Sequence, residues 1–595
     1  MKTINITLFA ALMLFAAVSC GKDETLSTSN TQVELTGKLE PTVVCDQTRT
    51  VLGQGNTVLW EVGDKLSVIS SKGNNEFTVS KVGTPATTAT FQGSLSEAEQ
   101  YYALYPYGST ARLQDGKIIF PVAQEQEYVA SSFAKNALAC VAPFSKPGDF
   151  LNFKNIFGLF KLSLTGSKTI SKIVLLDNYG TMLWGNAVLA ANSSIGTQAQ
   201  GLSMQDGNNM VILKNINETL SSTPKDFYFA VPAGAFEYGF TAYVYSDDTI
   251  IDILQSVNDN TVVRSTILKM PQKEVTLIKD FDLSLAGTAN CYIAPAKGEY
   301  FFHATRGENG VTLEPATVEV LWETINTTTP PEKGSIVSSV SVSNDVISLS
   351  TTGKRGNALI AGKDASGNII WSWHIWCSGE PIAVKNYTSV PGSYFFDRSI
   401  GALSKTPGTV ESGGLIYQFG RKDPFIGAGT IGTSKGVKTP IAVANPAIVL
   451  VDKSNENGNF EYTNAHPNHL IVTSGDWLTT SDSNAWGNAG AKTENDPCPY
   501  GYKVSSTTHF TNVSFSYDSA HLGAYLDQTE WYQYVAGISG ATGSGHNIGK
   551  NCYIIVSDTP NDSYVYYVSM SSSKINTMAS TVNRASSDPV RCVRE

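Results

Sequence analysis

Apolar residues along most of this chain fall in short runs with a period of two, set off by turn residues. Val33 and Leu35 alternate with polar neighbours. Residues 65–70, 117–122 and 172–176 form further short β-type runs, separated by Gly, Asn and Asp turns. Side chains that alternate this way stand on opposite faces of a strand, so such runs predict β-strands. No window of about twelve residues keeps a helical period, although Ser94 to Tyr102 has room for a turn or two of helix. The start of the chain differs. Lys2 precedes an apolar run from Ile6 to Val18, interrupted by Thr7 and ending in small residues. That run is too short to span a bilayer comfortably and has the form of a secretory signal over residues 1–19.

Composition narrows the class. Charged residues are 16% and aromatics 10%, with 51 glycines, a balance that suits extracellular β structure better than a helical enzyme. At 595 residues the chain divides into three or four domains, each with room for its own core. A formal net charge of −10 argues against nucleic acid as a partner, because nothing would neutralise the phosphates. Past the leader no run reaches the roughly 18 apolar residues of a membrane-spanning helix. The eight cysteines (20, 45, 140, 291, 377, 498, 552 and 592) include no Cys-x-x-Cys pair, so neither a zinc ribbon nor another metal site or cofactor is expected.

The residues Ala17-Val18-Ser19-Cys20 resemble the lipobox of bacterial lipoproteins, with Ala17 where Leu is usual. The resemblance implies cleavage before Cys20, acylation of Cys20 and anchoring in the outer membrane. Lys22, Asp23 and Glu24 look like the signal that sends some Gram-negative lipoproteins to the cell surface. Residues 20–31 then read as the lipidated Cys followed by a flexible leash.

Trp60-Glu-Val-Gly-Asp64, Tyr102-Ala-Leu-Tyr-Pro-Tyr107, Pro121-Val-Ala-Gln-Glu-Gln126, the run 151–162 and Phe227-Tyr-Phe-Ala-Val-Pro-Ala-Gly234 resemble, in this order, fimbrillin-type pilus proteins. The resemblance implies two β-sandwich subdomains, residues 32–165 and 166–283. It also implies a family route of assembly. An Arg- or Lys-directed protease removes the first strand, and the vacated groove accepts a strand from another fimbrillin subunit. Lys38 and Arg49 are the candidate processing sites, and Arg49 reads more readily as an exposed strand residue.

Residues 284–382 hold about seven strand candidates and read as an immunoglobulin-like sandwich. Within them Ile369-Ile-Trp-Ser-Trp-His-Ile-Trp376 places Trp371 and Trp373 on one face and Ser372, His374 and Trp376 on the other. A buried core explains the Trp ladder better than a sugar platform does. Asp364 and Asn368 flank a hairpin turn. Cys291 and Cys377, at the two ends of this unit, are a candidate pair. Residues 383–595 open with Ser393-Tyr-Phe-Phe-Asp-Arg398, pass through Asp496-Pro-Cys-Pro-Tyr-Gly-Tyr-Lys503 and close on Pro589-Val-Arg-Cys-Val593. This framework resembles a C-type-lectin-like module of the major paralogous domain type. Residues 504–510 depart from it and put its first helix in doubt. The resemblance implies a disulfide between Cys498 and Cys592, the framework's two cysteine positions. Cys552, in an apolar strand, reads as a buried thiol.

No catalytic constellation emerges. His466 and His469 straddle Pro467 and cannot share a regular helix, so they make a poor metal pair. Asp397, Asp423 and Asp496 are acids that any secreted β protein offers to a glycosidase argument. Trp477, Trp486 and His546 lie in aromatic or Gly-rich stretches of the last unit and are candidates for ligand binding, though both Trp residues fit a core as readily. The fold class expected is all-β dominated: tandem β-sandwiches (two fimbrillin subdomains plus the immunoglobulin-like unit) followed by a C-type-lectin-like α+β module. The function expected is a non-enzymatic surface lipoprotein, the tip adhesin of a fimbrillin-type pilus, whose head binds a glycan or a host or bacterial surface ligand. The alternatives are a glycan-capture lipoprotein outside any pilus and a pilus anchor subunit.

Overall fold

The computed structural model describes residues 31–40, 58–192, 201–276, 280–325, 331–426 apart from 388, 389 and 391, and 448–595 apart from short stretches between 522 and 574. Its first unit uses β1 (Thr31–Leu39), β2 (Lys65–Ser70), β3 (Gly73–Val82), β4 (Thr88–Leu95), β5 (Tyr101–Tyr105), β6 (Arg112–Gln114), β7 (Lys117–Val122), β8 (Glu125–Glu127), β9 (Cys140–Phe144) and β10 (Phe150–Asn155). Seven of these close into a barrel in the order β1-β10-β9-β5-β2-β3-β4. The first subdomain is therefore all β, with the edges of its sheet joined through β1. Period-two patterning fills it: Leu35 and Leu39 point inward, while Thr36 and Lys38 face solvent. Trp60 is its aromatic centre, with the rings of Phe91, Tyr105 and Phe153 edge-on at 5.1–5.2 Å. Between β4 and β5 the short link takes no helical turn at Ser94 to Tyr102. The Tyr101 hydroxyl accepts from the Ala98 amide and donates to the Ser96 carbonyl, which fixes the bend directly.

The second unit is woven into the first. β7 pairs with strand Gly185–Ala190, and β8 runs parallel to Met210–Lys214. β11 (Phe157–Gly166) pairs with Lys225–Pro232 on one side and with Ile267–Lys269 on the other. A boundary at residue 165 thus falls inside a strand. Phe157, Leu159, Phe160, Leu162 and Leu164 are all buried, so nothing in this apolar run permits a break before the turn at Gly166.

The third unit is a sandwich of two four-stranded sheets. One holds strands Asp280–Asp282, Gly298–His303, Val346–Thr351 and Val337–Ser343. The other holds Cys291–Ile293, Ile369–Cys377, Gly356–Lys363 and Thr317–Thr324. Trp371, Trp373 and Ile375 fill the space between the sheets. Asp364 shapes the hairpin by accepting the amides of Ser366 and Asn368. Cys291 and Cys377 are both free and buried. Cys291 lies in register with His374, three residues short of Cys377, so the two thiols face opposite sides of the sheet and cannot bond.

The last unit is assembled from small sheets and loops. Among its described residues the one α-helix is Phe460–Ala465, capped by the Asn459 side chain, and Thr507–Phe510 forms a single 3-10 turn. Strand and loop make up most of these residues, in keeping with the all-β dominated fold expected. The outer face of strand Ile369–Cys377 packs against this unit, and Cys291, Leu359 and Trp376 share one core with Ile400, Tyr417, Trp486 and Val590. The third unit (hereafter the spacer) and the last unit (hereafter the head) therefore bury a continuous apolar interior.

Candidate functional site

Two features hold the ends of the described chain: the seam where β1 closes the barrel, and the clamp on the strand Cys592–Arg594. β1 lies antiparallel to β4, from Thr31 opposite Leu95 to Lys38 opposite Thr88. On its other edge it runs parallel to β10, from Thr36 opposite Phe150 to Leu39 opposite Phe153. Close approach on that edge requires Gly37. A Cβ there would stand 2.7 Å from Leu151 Cβ and 2.9 Å from both the Leu151 carbonyl oxygen and Phe153 Cε2. Replacing Gly37 with Val should therefore destabilise the barrel by about 1–3 kcal/mol, as overpacking does. Urea denaturation of the full chain checks this, and an unchanged midpoint contradicts it.

The end of β1 is tied by charge. The Glu40 amide continues the ladder to the Phe153 carbonyl at 3.0 Å. Its carboxylate accepts the Asn155 amide at 2.6 Å and the Arg264 Nη2 at 3.0 Å, with Arg264 Nη1 on the other oxygen. Lys154 Nζ stands 3.3 Å away. Arg264 also donates to the Asn155 carbonyl at 2.6 Å, so one guanidinium joins β1, β10 and the second unit.

The clamp involves residues at the other end of the sequence. Strand Cys592–Arg594 sits inside a four-stranded sheet, between Tyr394–Phe396 and Tyr502–Val504. Cys592 forms a disulfide with Cys498, as the framework implied. Arg594 Nη1 donates to the Asn178 carbonyl at 2.9 Å, and its guanidinium stacks 4.3 Å over the Tyr179 ring in the second unit.

The ligand candidates fare differently. Trp477 and Trp486 are fully buried, and their indole N–H groups donate to the carbonyls of Phe419 and of Arg421 and Asn495. Neither offers a face to a ligand, because the loops that carry them fold inward. Asp476 beside Trp477 accepts from Arg584 at 3.1 Å, which holds that loop shut. His546 falls in strand Gly545–His546, and its side chain, like that of Cys552, lies outside the described residues. So do Cys20, Lys22, Asp23, Glu24 and Arg49 entirely. Lys38 is inside β1 and backbone-paired on both sides, so a protease that must itself pair with the backbone of its substrate cannot take it from the closed barrel.

Every carboxylate weighed for hydrolysis is engaged. Burial would raise the Asp397 carboxyl, but the Arg398 guanidinium and Lys405 ammonium hold it well below the usual range. Asp423 accepts from Lys422 at 2.7 Å and from the Ser372 hydroxyl at 2.6 Å. Burial pushes the Asp496 carboxyl up, and it accepts the amides of Cys498 and Val504. The His466 and His469 rings stack beside Tyr462, whose hydroxyl meets His469 Nδ1 at 2.8 Å. Among the described residues no group of three or more His, Cys, Asp or Glu is placed to hold a metal ion, and no helix is long and apolar enough to cross a membrane.

One array escaped sequence reasoning. Cys291 Sγ lies 3.3 Å from His374 Nδ1, and His374 Nε2 lies 2.9 Å from Asn357 Oδ1. The order of groups is that of a thiol nucleophile, its base and an orienting amide. The environment forbids that chemistry. All three residues are sealed between spacer and head, burial pushes the Cys291 thiol up, and burial lowers the His374 imidazole to about 3. A thiolate–imidazolium pair needs the opposite shifts. These groups are instead polar fasteners of the joint, with Asn357 Nδ2 donating to the Gly401 carbonyl at 2.9 Å.

No family model matches the chain, and no curated protein matches it. Among solved structures it is similar to a candidate cell adhesion protein from Bacteroides ovatus, with 9% identity and a TM-score of 0.26, over 40% of this chain and 89% of that one. It is similar also to a candidate cell adhesion protein from Bacteroides uniformis (12% identity, TM-score 0.24, 47% and 95% of the two chains). A fimbrial protein from Bacteroides ovatus gives 11% identity and a TM-score of 0.22, over 50% and 59%. Likeness at this level carries no information on function.

Proposed function

We propose that this chain is a non-enzymatic surface protein, lipid-anchored as a precursor, that serves as the tip adhesin of a fimbrillin-type pilus. It accepts a donor strand in place of β1 and presents the last unit as the head that binds ligand. The lipobox-like residues up to Cys20 support the anchor, and the ordered fimbrillin-like segments support the assembly route. The observation that carries the tip assignment is the position of strand Cys592–Arg594. It has neighbours on both edges and a disulfide at Cys592, so this strand is not available to leave its sheet and enter another subunit.

Processing after Arg49 fits the barrel better than processing after Lys38. A cut at Lys38 would leave Leu39 and Glu40 occupying the end of the groove, whereas a cut at Arg49 frees all of β1. N-terminal sequencing of protein sheared from cells, joined to immunogold microscopy, is the test. The expected result is a start at residue 50 and label at fibre ends. Label spaced along the shafts contradicts the tip role. A retained acyl group on Cys20 would point instead to an anchor subunit or a free-standing glycan-capture lipoprotein. Ligand screening belongs on the full chain, because excising residues 383–595 would expose Trp376 and the rest of the shared core.

A further inference from the structure

We propose that the strand that replaces β1 must carry a carboxylate one residue past its last inward-facing apolar side chain, where Arg264 and Lys154 receive it. This rests on the strand-exchange reading above and names the chemistry of the partner.

β1 displays what the groove accepts. Leu35 and Leu39 enter the barrel core, Gly37 lets the chain approach β10, and Glu40 follows at once. The first three requirements concern shape and apolar surface, which many strands can meet. The fourth is specific. The Arg264 side chain is 10% exposed and grips the Glu40 carboxylate, itself 10% exposed, through both guanidinium nitrogens. Such a planar two-point contact selects a carboxylate over an amide. The Asn155 amide and Lys154 ammonium aim at the same group, so three donors converge on one position at the seam. Releasing β1 takes that carboxylate away and leaves the donors in place, held by β10 and by the Arg264 contact to the Asn155 carbonyl. A donor running in the direction of β1, with an acid at this register, restores the pairing. One with a neutral or basic residue there brings a mismatch into a nearly closed site. The seam thereby discriminates among donor subunits by charge as well as by apolar spacing.

The experiment uses the full chain treated with an arginine-directed protease in the presence of excess fluorescein-labelled peptide. The reference peptide has the sequence of residues 31–40, and two others carry Glu40→Gln or Glu40→Lys. Capture is read by native mass spectrometry and fluorescence anisotropy. The reference peptide should be captured, the Glu40→Gln peptide roughly 10-fold to 100-fold more weakly, and the Glu40→Lys peptide more weakly still. In the Arg264→Glu chain the order should invert, with Glu40→Lys captured best. Equal capture of the reference and Glu40→Gln peptides overturns the carboxylate requirement and leaves strand exchange standing. Capture of none of the peptides overturns strand exchange and this inference together. If Arg264→Glu does not fold, the two peptides on the unaltered chain still decide the matter.

Discussion

Replacing Cys498 and Cys592 together with alanine should lower the unfolding free energy of the head by about 4–5 kcal/mol. The two residues are 94 positions apart, and in the chain-entropy account a loop of that size forfeits about 4.7 kcal/mol of denatured-state freedom when it is closed. The site gives the bond a second role. Cys592 belongs to a strand with hydrogen-bonded neighbours on both edges, so its loss loosens the centre of a sheet and not its rim. Both sulfurs are fully buried beside Val504 and Trp486, and the alanine pair leaves that space underfilled. Trp477 and Trp486 are buried reporters in the same unit, so urea denaturation of the full chain followed by Trp fluorescence reads the change. A difference below about 1 kcal/mol would show that the sheet holds without its staple. In that event the neighbouring strands hold Cys592–Arg594 without the bond, and the tip assignment rests on that pairing alone.

What the sequence disclosed was local. Strand runs at 65–70 and 117–122 appear with the bounds their alternation predicts, because side-chain period is set by backbone geometry alone. The partners of those strands were not legible. β7 finds Gly185–Ala190 across more than sixty residues, and no pattern in either strand names the other. The Trp ladder at 371–376 shows the same limit. Alternation placed Trp371 and Trp373 apart from Ser372, His374 and Trp376, correctly. It could not reveal that the second face is buried too, against a unit that begins only after residue 380. Trp477 and Trp486 sit beside turn residues, as exposed recognition loops do, yet both loops turn inward. The charged seam was the least visible feature, since Glu40 and Arg264 are 224 residues apart and neither lies in a motif. Cysteine spacing was informative only where a framework fixed it, at 498 and 592. For Cys291 and Cys377, proximity to the two ends of a unit said nothing about which face each thiol takes.

Acid should loosen the joint between spacer and head as pH falls below 6.5, and His374 should be the main cause. Burial lowers its imidazole from 6.5 to about 3 in the folded chain, whereas the unfolded chain takes up the proton near 6.5. Between those values the unfolded state binds one more proton than the folded state. Stability from this group is therefore complete above pH 6.5 and is lost as pH falls toward 3, at about 1.4 kcal/mol per pH unit. The groups facing the ring do not titrate in this window. Burial raises both the Cys291 thiol and the Tyr417 hydroxyl, 3.3 and 3.4 Å from Nδ1, and Asn357 on Nε2 carries no ionisable proton. His469 and His509 are also lowered, chiefly by burial, and add to the slope in the same sense. The substitution His374→Gln isolates one site from the others. Gln keeps a hydrogen-bonding end for Asn357 and has nothing to protonate, so the variant should lose a constant amount of stability at neutral pH. Between pH 6 and 4.5 its stability should then fall less steeply than that of the natural chain, by about 1.4 kcal/mol per pH unit. Urea midpoints across that range measure the difference. Parallel slopes would mean that the ring is already protonated in the folded joint, and that the spacer and head are not sealed against water at His374.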